Sequence, residues 1–207
     1  MSAFAVPLAG VLYGIAAFAV SIAVGNVSLR RARAKQTIDA YRIKLLCVTI
    51  GSAAIGSFAE SRDLSLLQAV ASALVVAALA GAICADRAAP GALVLYVCTV
   101  PVGFVIFSAA LDSMWPAVFS ALLAAVPFLL TALLVADRSA SLLNAAVAAI
   151  AGASIGASSA FFVLCAASIC ALAFAKIGRH SLAKLRLAAY IAAFTLLGIL
   201  RNMSILT

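Results

Sequence analysis

AGAICADRAAPGALVLY, residues Ala80 to Tyr96, places an aspartate, an arginine and a proline inside sequence that is otherwise apolar for dozens of residues on either side. The runs flanking Asp86 and Pro90 are each long enough to cross a bilayer, which takes about 20 apolar residues as an α-helix. The polar break is therefore read as a turn between two spans. The whole chain has the same character: of 207 residues, 67% are hydrophobic and only 10% charged, with a mean hydropathy of +1.26. So much apolar surface needs lipid as its solvent. A closed barrel would show short alternating segments, and none are present. The expected fold is all-α: one polytopic transmembrane helical domain over residues 1–207.

Eight spans are predicted, at about 7–28, 43–59, 65–85, 91–110, 116–136, 141–157, 160–176 and 186–201. Residues 141–175 carry no charge, so only GASIGASS (Gly152 to Ser159) marks a turn between the sixth and seventh spans. With the N-terminus outside the cytoplasm, the cytoplasmic side collects Arg30, Arg31, Arg33, Lys35, Arg42, Lys44, Arg87, Arg138, Lys176, Arg179, Lys184 and Arg186. The other side keeps only Arg62 and Arg201 of the 14 basic residues. That asymmetry follows the positive-inside rule and sets the orientation. It also requires a reversal near Gly156, because one long span there would invert the last loop.

The net charge of +8 is concentrated in short segments between spans, so it reports membrane orientation and no nucleic-acid partner is expected. RRARAKQTIDAYRIK (Arg30 to Lys44) reads as a basic juxtamembrane loop drawn to anionic headgroups. KIGRHSLAKLR (Lys176 to Arg186) is a second basic loop, and its lone His180 has no companion ligand for a metal. Cys47, Cys84, Cys98, Cys165 and Cys170 all lie in apolar stretches without a CxxC pair and are read as small buried thiols. GSAAIGS (Gly51 to Ser57) and GASIG (Gly152 to Gly156) have the small-residue spacing that lets helix backbones approach closely. Pro101 and Pro127 fall inside spans and should bend them. A cleaved leader is not expected, since the first apolar run carries its basic residues after it.

Six carboxylates remain. Asp39 belongs to the basic segment, Glu60 and Asp63 flank Arg62, and Asp112 lies in an outside turn beside the interfacial Trp115. Asp86 and Asp137 differ. Each closes an apolar span on the cytoplasmic side and is followed by arginine, in CADRAAP and VADRSAS. Each Asp-Arg pair reads either as a solvated helix end or as one half of a carboxylate dyad. Two carboxylates sharing a proton can activate water for peptide hydrolysis, because like charge raises one pKa while the other group stays ionised. HExxH, GxSxG and phosphate-binding glycine loops are absent.

The stretch LAGAICADRAAPGALVLYVCTVPVGFV (Leu79 to Val105) resembles the bacterial prepilin peptidases, membrane aspartyl proteases in which an apolar helix runs into a cytoplasmic aspartate and a proline opens the next span. YGIAAFAVSIAVGNVSLRRA (Tyr13 to Ala32) is similar to that family's first helix. The likeness covers most of the chain by topology and few positions by motif. It implies a catalytic pair of Asp86 and Asp137, no cofactor, a pilin-like substrate with a basic leader, and residence in the bacterial inner membrane. The family's second aspartate lies in GxGD followed by lysine and leucines. The matching region here, LVADRSASLLNAAVAAIAG (Leu134 to Gly152), lacks both glycines and that lysine, and alignment on Leu142 and Leu143 puts Ser139 in the aspartate's place. The family's cysteine-rich cytoplasmic insertion and its C-terminal proline-glycine signature are missing as well. A divergent endopeptidase, a non-catalytic membrane subunit of a pilus or secretion assembly, and a small transporter are the three functional expectations.

Overall fold

A computed structural model of the chain describes residues 5–32, 38–60, 66–84, 114–134, 138–177 and 187–205. The predicted fourth span, about 91–110, lies outside the described residues. So do Asp86, Asp137 and His180. The described residues form seven α-helices: α1 (Ala5–Ala32), α2 (Ile38–Glu60), α3 (Leu66–Cys84), α4 (Met114–Leu134), α5 (Arg138–Ile155), α6 (Ala157–Ile177) and α7 (Leu187–Ile205). Three are long and apolar enough to cross a membrane, over Val6–Ala23, Trp115–Leu134 and Ala157–Lys176. Shorter apolar stretches run through the other four, at Leu45–Ser57, Val70–Cys84, Ala140–Ile155 and Leu187–Arg201.

On α1 and α4 the packing is inside-out relative to a helix of a soluble bundle. On α4 the buried positions are alanines, Ala121, Ala124, Ala125 and Ala132, while Phe119, Leu123, Leu130, Leu133 and Leu134 face outward. Likewise α1 turns Gly10, Tyr13, Gly14, Ala17 and Ser21 inward and Leu8, Val11, Leu12, Ile15 and Phe18 outward. Large apolar side chains on the outside suit hydrocarbon, and small ones inside let backbones approach, as expected where burial of apolar surface no longer drives helix association. Trp115, in the first turn of α4, is exposed and tilts against Phe119 with ring centroids 6.2 Å apart.

Direction along the bundle follows from named contacts. Gly10 lies against Ser57, and Gly14 against Ala53 and Thr49, so α1 and α2 are antiparallel. Tyr13 hydrogen-bonds Ser72, and Ala17 clusters with Ala80 and Cys84, so α1 and α3 run in the same direction. Gly152 on α5 meets the backbone of Ser120 and Ala121, making α4 and α5 an antiparallel pair so close that no Cβ fits at residue 152. Phe174 stacks on Tyr190 at 5.9 Å, which sets α6 antiparallel to α7.

The reversal expected near Gly156 is present. Gly156 adopts φ +80 and is the single residue between α5 and α6. A straight helix would separate Ile155 from Val163 by about 12 Å along its axis. Instead both side chains reach Gly198 of α7, 3.3 and 3.8 Å from the position of a Cβ there. The turn satisfies its backbone, with Gly156 N–H donating to the Gly152 carbonyl and Ala160 N–H to the Gly156 carbonyl.

Two expectations need correction. The segment from Arg30 to Lys44 is mostly helix: α1 continues to Ala32 and α2 starts at Ile38. Arginine, lysine and alanine are strong helix formers, and nothing in the segment breaks a helix before residue 33. The cysteines are also not uniformly buried. Cys84 is, but Cys47 and Cys165 are exposed and Cys170 is intermediate. A thiol is apolar enough to sit on a surface that is itself apolar.

Candidate functional site

The catalytic pair implied by the resemblance, Asp86 and Asp137, lies outside the described residues, but the helices that adjoin both do not. Helix α3 ends at Cys84, two residues before Asp86, and α5 begins at Arg138, immediately after Asp137. These are interior helices. From Val75 to Ala82 every residue of α3 is buried, which is the pattern of a helix surrounded on all sides. On α5, Ala145 to Ala148 and Ile150 to Gly152 are buried in the same way. The two helices touch, and Val76, Leu79, Val147 and Ile150 belong to one apolar core. Helix α7 closes that core with a stripe of Ala188, Ile191, Ala192 and Leu196, spaced as one helix face.

Polar groups inside the bundle are few. The Tyr13 hydroxyl and the Ser72 hydroxyl share a hydrogen bond between α1 and α3. Thr195 is fully buried and donates to the Ile191 carbonyl at 2.7 Å. Ser52 is also fully buried, and its Oγ has no hydrogen-bond partner among the described residues. Tyr13 and Ser52 fall within stretches quoted from the sequence, but none of these hydroxyls was expected to have a polar role. Their only signal was a hydroxyl inside an apolar run, which small serines and threonines often supply in packed membrane helices.

A groove of about 390 Å³ opens between α4 and α6, with Leu123, Pro127, Phe128, Phe161, Cys165 and Ser168 among its walls. Its lining is apolar, and the Ser168 hydroxyl is already engaged with the Leu164 carbonyl at 2.8 Å. It contains no ionisable group of the kind a transport pathway uses. Among the described residues no three His, Cys, Asp or Glu side chains gather as metal ligands.

The small-residue faces read from sequence as sites of close helix approach are used within the chain. Gly152 is filled by α4, Gly56 lies 2.6 Å from Tyr13 measured from an added Cβ, and Ser57 meets Gly10. Gly51 and Gly156 open onto space. Comparison with protein families, curated proteins and solved structures finds no match to this chain.

Proposed function

We propose that the chain is an integral membrane protein of the prepilin-peptidase type, with Asp86 and Asp137 as its dyad. The observation that carries this reading is that the two helices adjoining those aspartates, α3 and α5, are the buried centre of the bundle and touch each other. In this scheme the N-terminus is outside the cytoplasm, the bundle lies in a bacterial inner membrane, and eight spans include the 91–110 stretch. One aspartate, ionised, takes a proton from water, while its protonated neighbour donates to the scissile carbonyl. The substrate is a pilin-like chain whose basic leader is cut at the cytoplasmic face.

A second reading is favoured by one specific feature. Asp137 stands without the glycines of GxGD, and those glycines give backbone the freedom to approach a substrate. The chain is then a relative that keeps the helix arrangement and serves as a membrane subunit of a pilus or secretion assembly. One experiment separates the two. Co-expression with a pilin-like substrate should give a shortened product with the native chain and none with Asp86→Asn or Asp137→Asn. Full cleavage by either variant removes the dyad, and normal assembly with both residues replaced selects the subunit.

A further inference from the structure

Helix α4 stays helical from Met114 to Leu134 with a proline, Pro127, in its interior. Proline has no N–H, so the Leu123 carbonyl, four residues back, loses its helical donor, and the ring pushes that carbonyl aside. Leu123 lies eight residues after Trp115, about 12 Å into a stretch of 20 residues long and apolar enough to cross a membrane. At that depth no bulk water can replace the lost donor, and a carbonyl left alone is costly. The carbonyl of residue 123 is directed along the helix toward residue 127. Leu123 and Pro127 are both exposed, and both line the groove between α4 and α6.

The hydroxyls nearest in the fold have already given their protons elsewhere. Thr131, one turn beyond Pro127, donates to the Phe128 carbonyl at 2.8 Å. Ser168, on the opposite wall, donates to the Leu164 carbonyl at 2.8 Å and keeps only accepting capacity toward the groove. Because the chain reverses at Gly156 and α4 is antiparallel to α5, α4 and α6 run in the same direction. Ser168 is eleven residues past Ala157, about 16 Å along the α6 stretch, so both acceptors stand near mid-membrane. Cys165 beside them supplies no more than a weak S–H donor.

We propose that this groove binds a lipophilic phenol, a small aromatic molecule dissolved in the membrane whose one O–H donates to the Leu123 carbonyl. The remaining wall is apolar and includes the rings of Phe128 and Phe161, which suit an aromatic body. An acyl chain would fill the space and leave the carbonyl without a donor, and an ionised ligand would meet no counter-charge in the walls. A partner helix is too large to enter: one turn with its side chains, about 10 Å across and 5.4 Å high, exceeds the groove's 390 Å³. That volume is instead the size of a small-molecule site. Leu123, Phe161 and Ile169 are exposed at the rim, so the ligand enters from the surrounding lipid. The site is independent of any peptide-bond chemistry.

Photolabelling of the full chain in detergent micelles tests it, with a 4-hexylphenol that carries a diazirine on its alkyl chain. Label should map to the peptides of α4 and α6 that contain Leu123 and Cys165. Unlabelled 4-hexylphenol should compete about three- to tenfold more strongly than 4-hexylanisole, which has the same body and no donor. That ratio is what one hydrogen bond inside a membrane bundle supplies. P127A restores an N–H for the Leu123 carbonyl, so its ratio should fall toward one while the chain melts at or above the native temperature. C165F fills the groove and should lose the label, whereas C47F, at an exposed position on α2, should keep it. Equal competition by the phenol and the anisole makes the groove a bed for any apolar chain and overturns the proposal. So does a native ratio in P127A, or undiminished labelling of C165F.

Discussion

Ser52 and Tyr13 show how differently a hydroxyl behaves according to its partner. The Ser52 side chain is fully buried in the α1–α2–α3 unit with its Oγ unpaired among the described residues. A buried hydroxyl without a partner costs about 1–3 kcal/mol of desolvation, so deleting it removes a penalty. Ser52→Ala should leave the melting temperature in detergent unchanged or raise it. Tyr13 behaves in the opposite sense. Its ring covers Gly56 of α2 and its hydroxyl bonds Ser72 of α3, so one side chain joins three helices. Tyr13→Phe keeps the ring and should cost about 0.6 kcal/mol, the mean for an interhelical hydrogen bond in a membrane bundle. Tyr13→Ala also opens a cavity and should cost a few kcal/mol more. Neither role was legible in the sequence, because a lone serine or tyrosine in an apolar span says nothing about which neighbour it meets.

Two glycines near the end of α5 are needed for unrelated reasons, Gly156 at the turn into α6 and Gly152 at the contact with α4. Gly156 needs its backbone conformation: at φ +80 an L-residue other than Gly or Asn is disfavoured, although nothing crowds a side chain there. Gly152 needs its lack of volume, because the Ser120 backbone occupies the place of a Cβ. Gly156→Ala should therefore cost about 1–2 kcal/mol, with Gly156→Asn milder, whereas Gly152→Val should force α4 and α5 apart and cost more than either. Thermal unfolding of the three variants gives the ranking. The hairpin itself was legible, since GASIGASS supplied the only turn signal in an uncharged run and the charge asymmetry demanded a reversal. The helical ends of α1 and α2 were not legible as helices. Polar sequence between spans was read as loop, yet helix propensity and the lack of a breaker let α1 run on for more than a turn past its predicted end.

At the scale of the whole molecule, the described helices fall into two sets whose internal directions are fixed. In the first, the end of α1, the start of α2 and the end of α3 lie together. In the second, the contacts of Gly152, Gly198 and Phe174 gather the end of α4, the start of α5, the end of α6 and the start of α7. The basic residues of each set concentrate at that same end, with Arg30, Arg31, Arg42 and Lys44 in the first and Arg138 and Lys176 in the second. On the proposed reading the positive-inside rule predicts that both ends lie in the cytoplasm, with Asp86 and Asp137 on one face of the membrane. That prediction has α3 end and α4 start on opposite sides, and so expects the apolar stretch at 91–110 to cross. Reporter fusions test that consequence directly. Fluorescent-protein fusions after Ala32, Cys84, Leu134 and Ile177 should all be bright, and alkaline-phosphatase fusions after Glu60 and Gly156 should be active. Matching readouts at Cys84 and Leu134 mean that a second crossing joins them. Opposite readouts would place the two aspartates across the bilayer from each other, and no dyad could form.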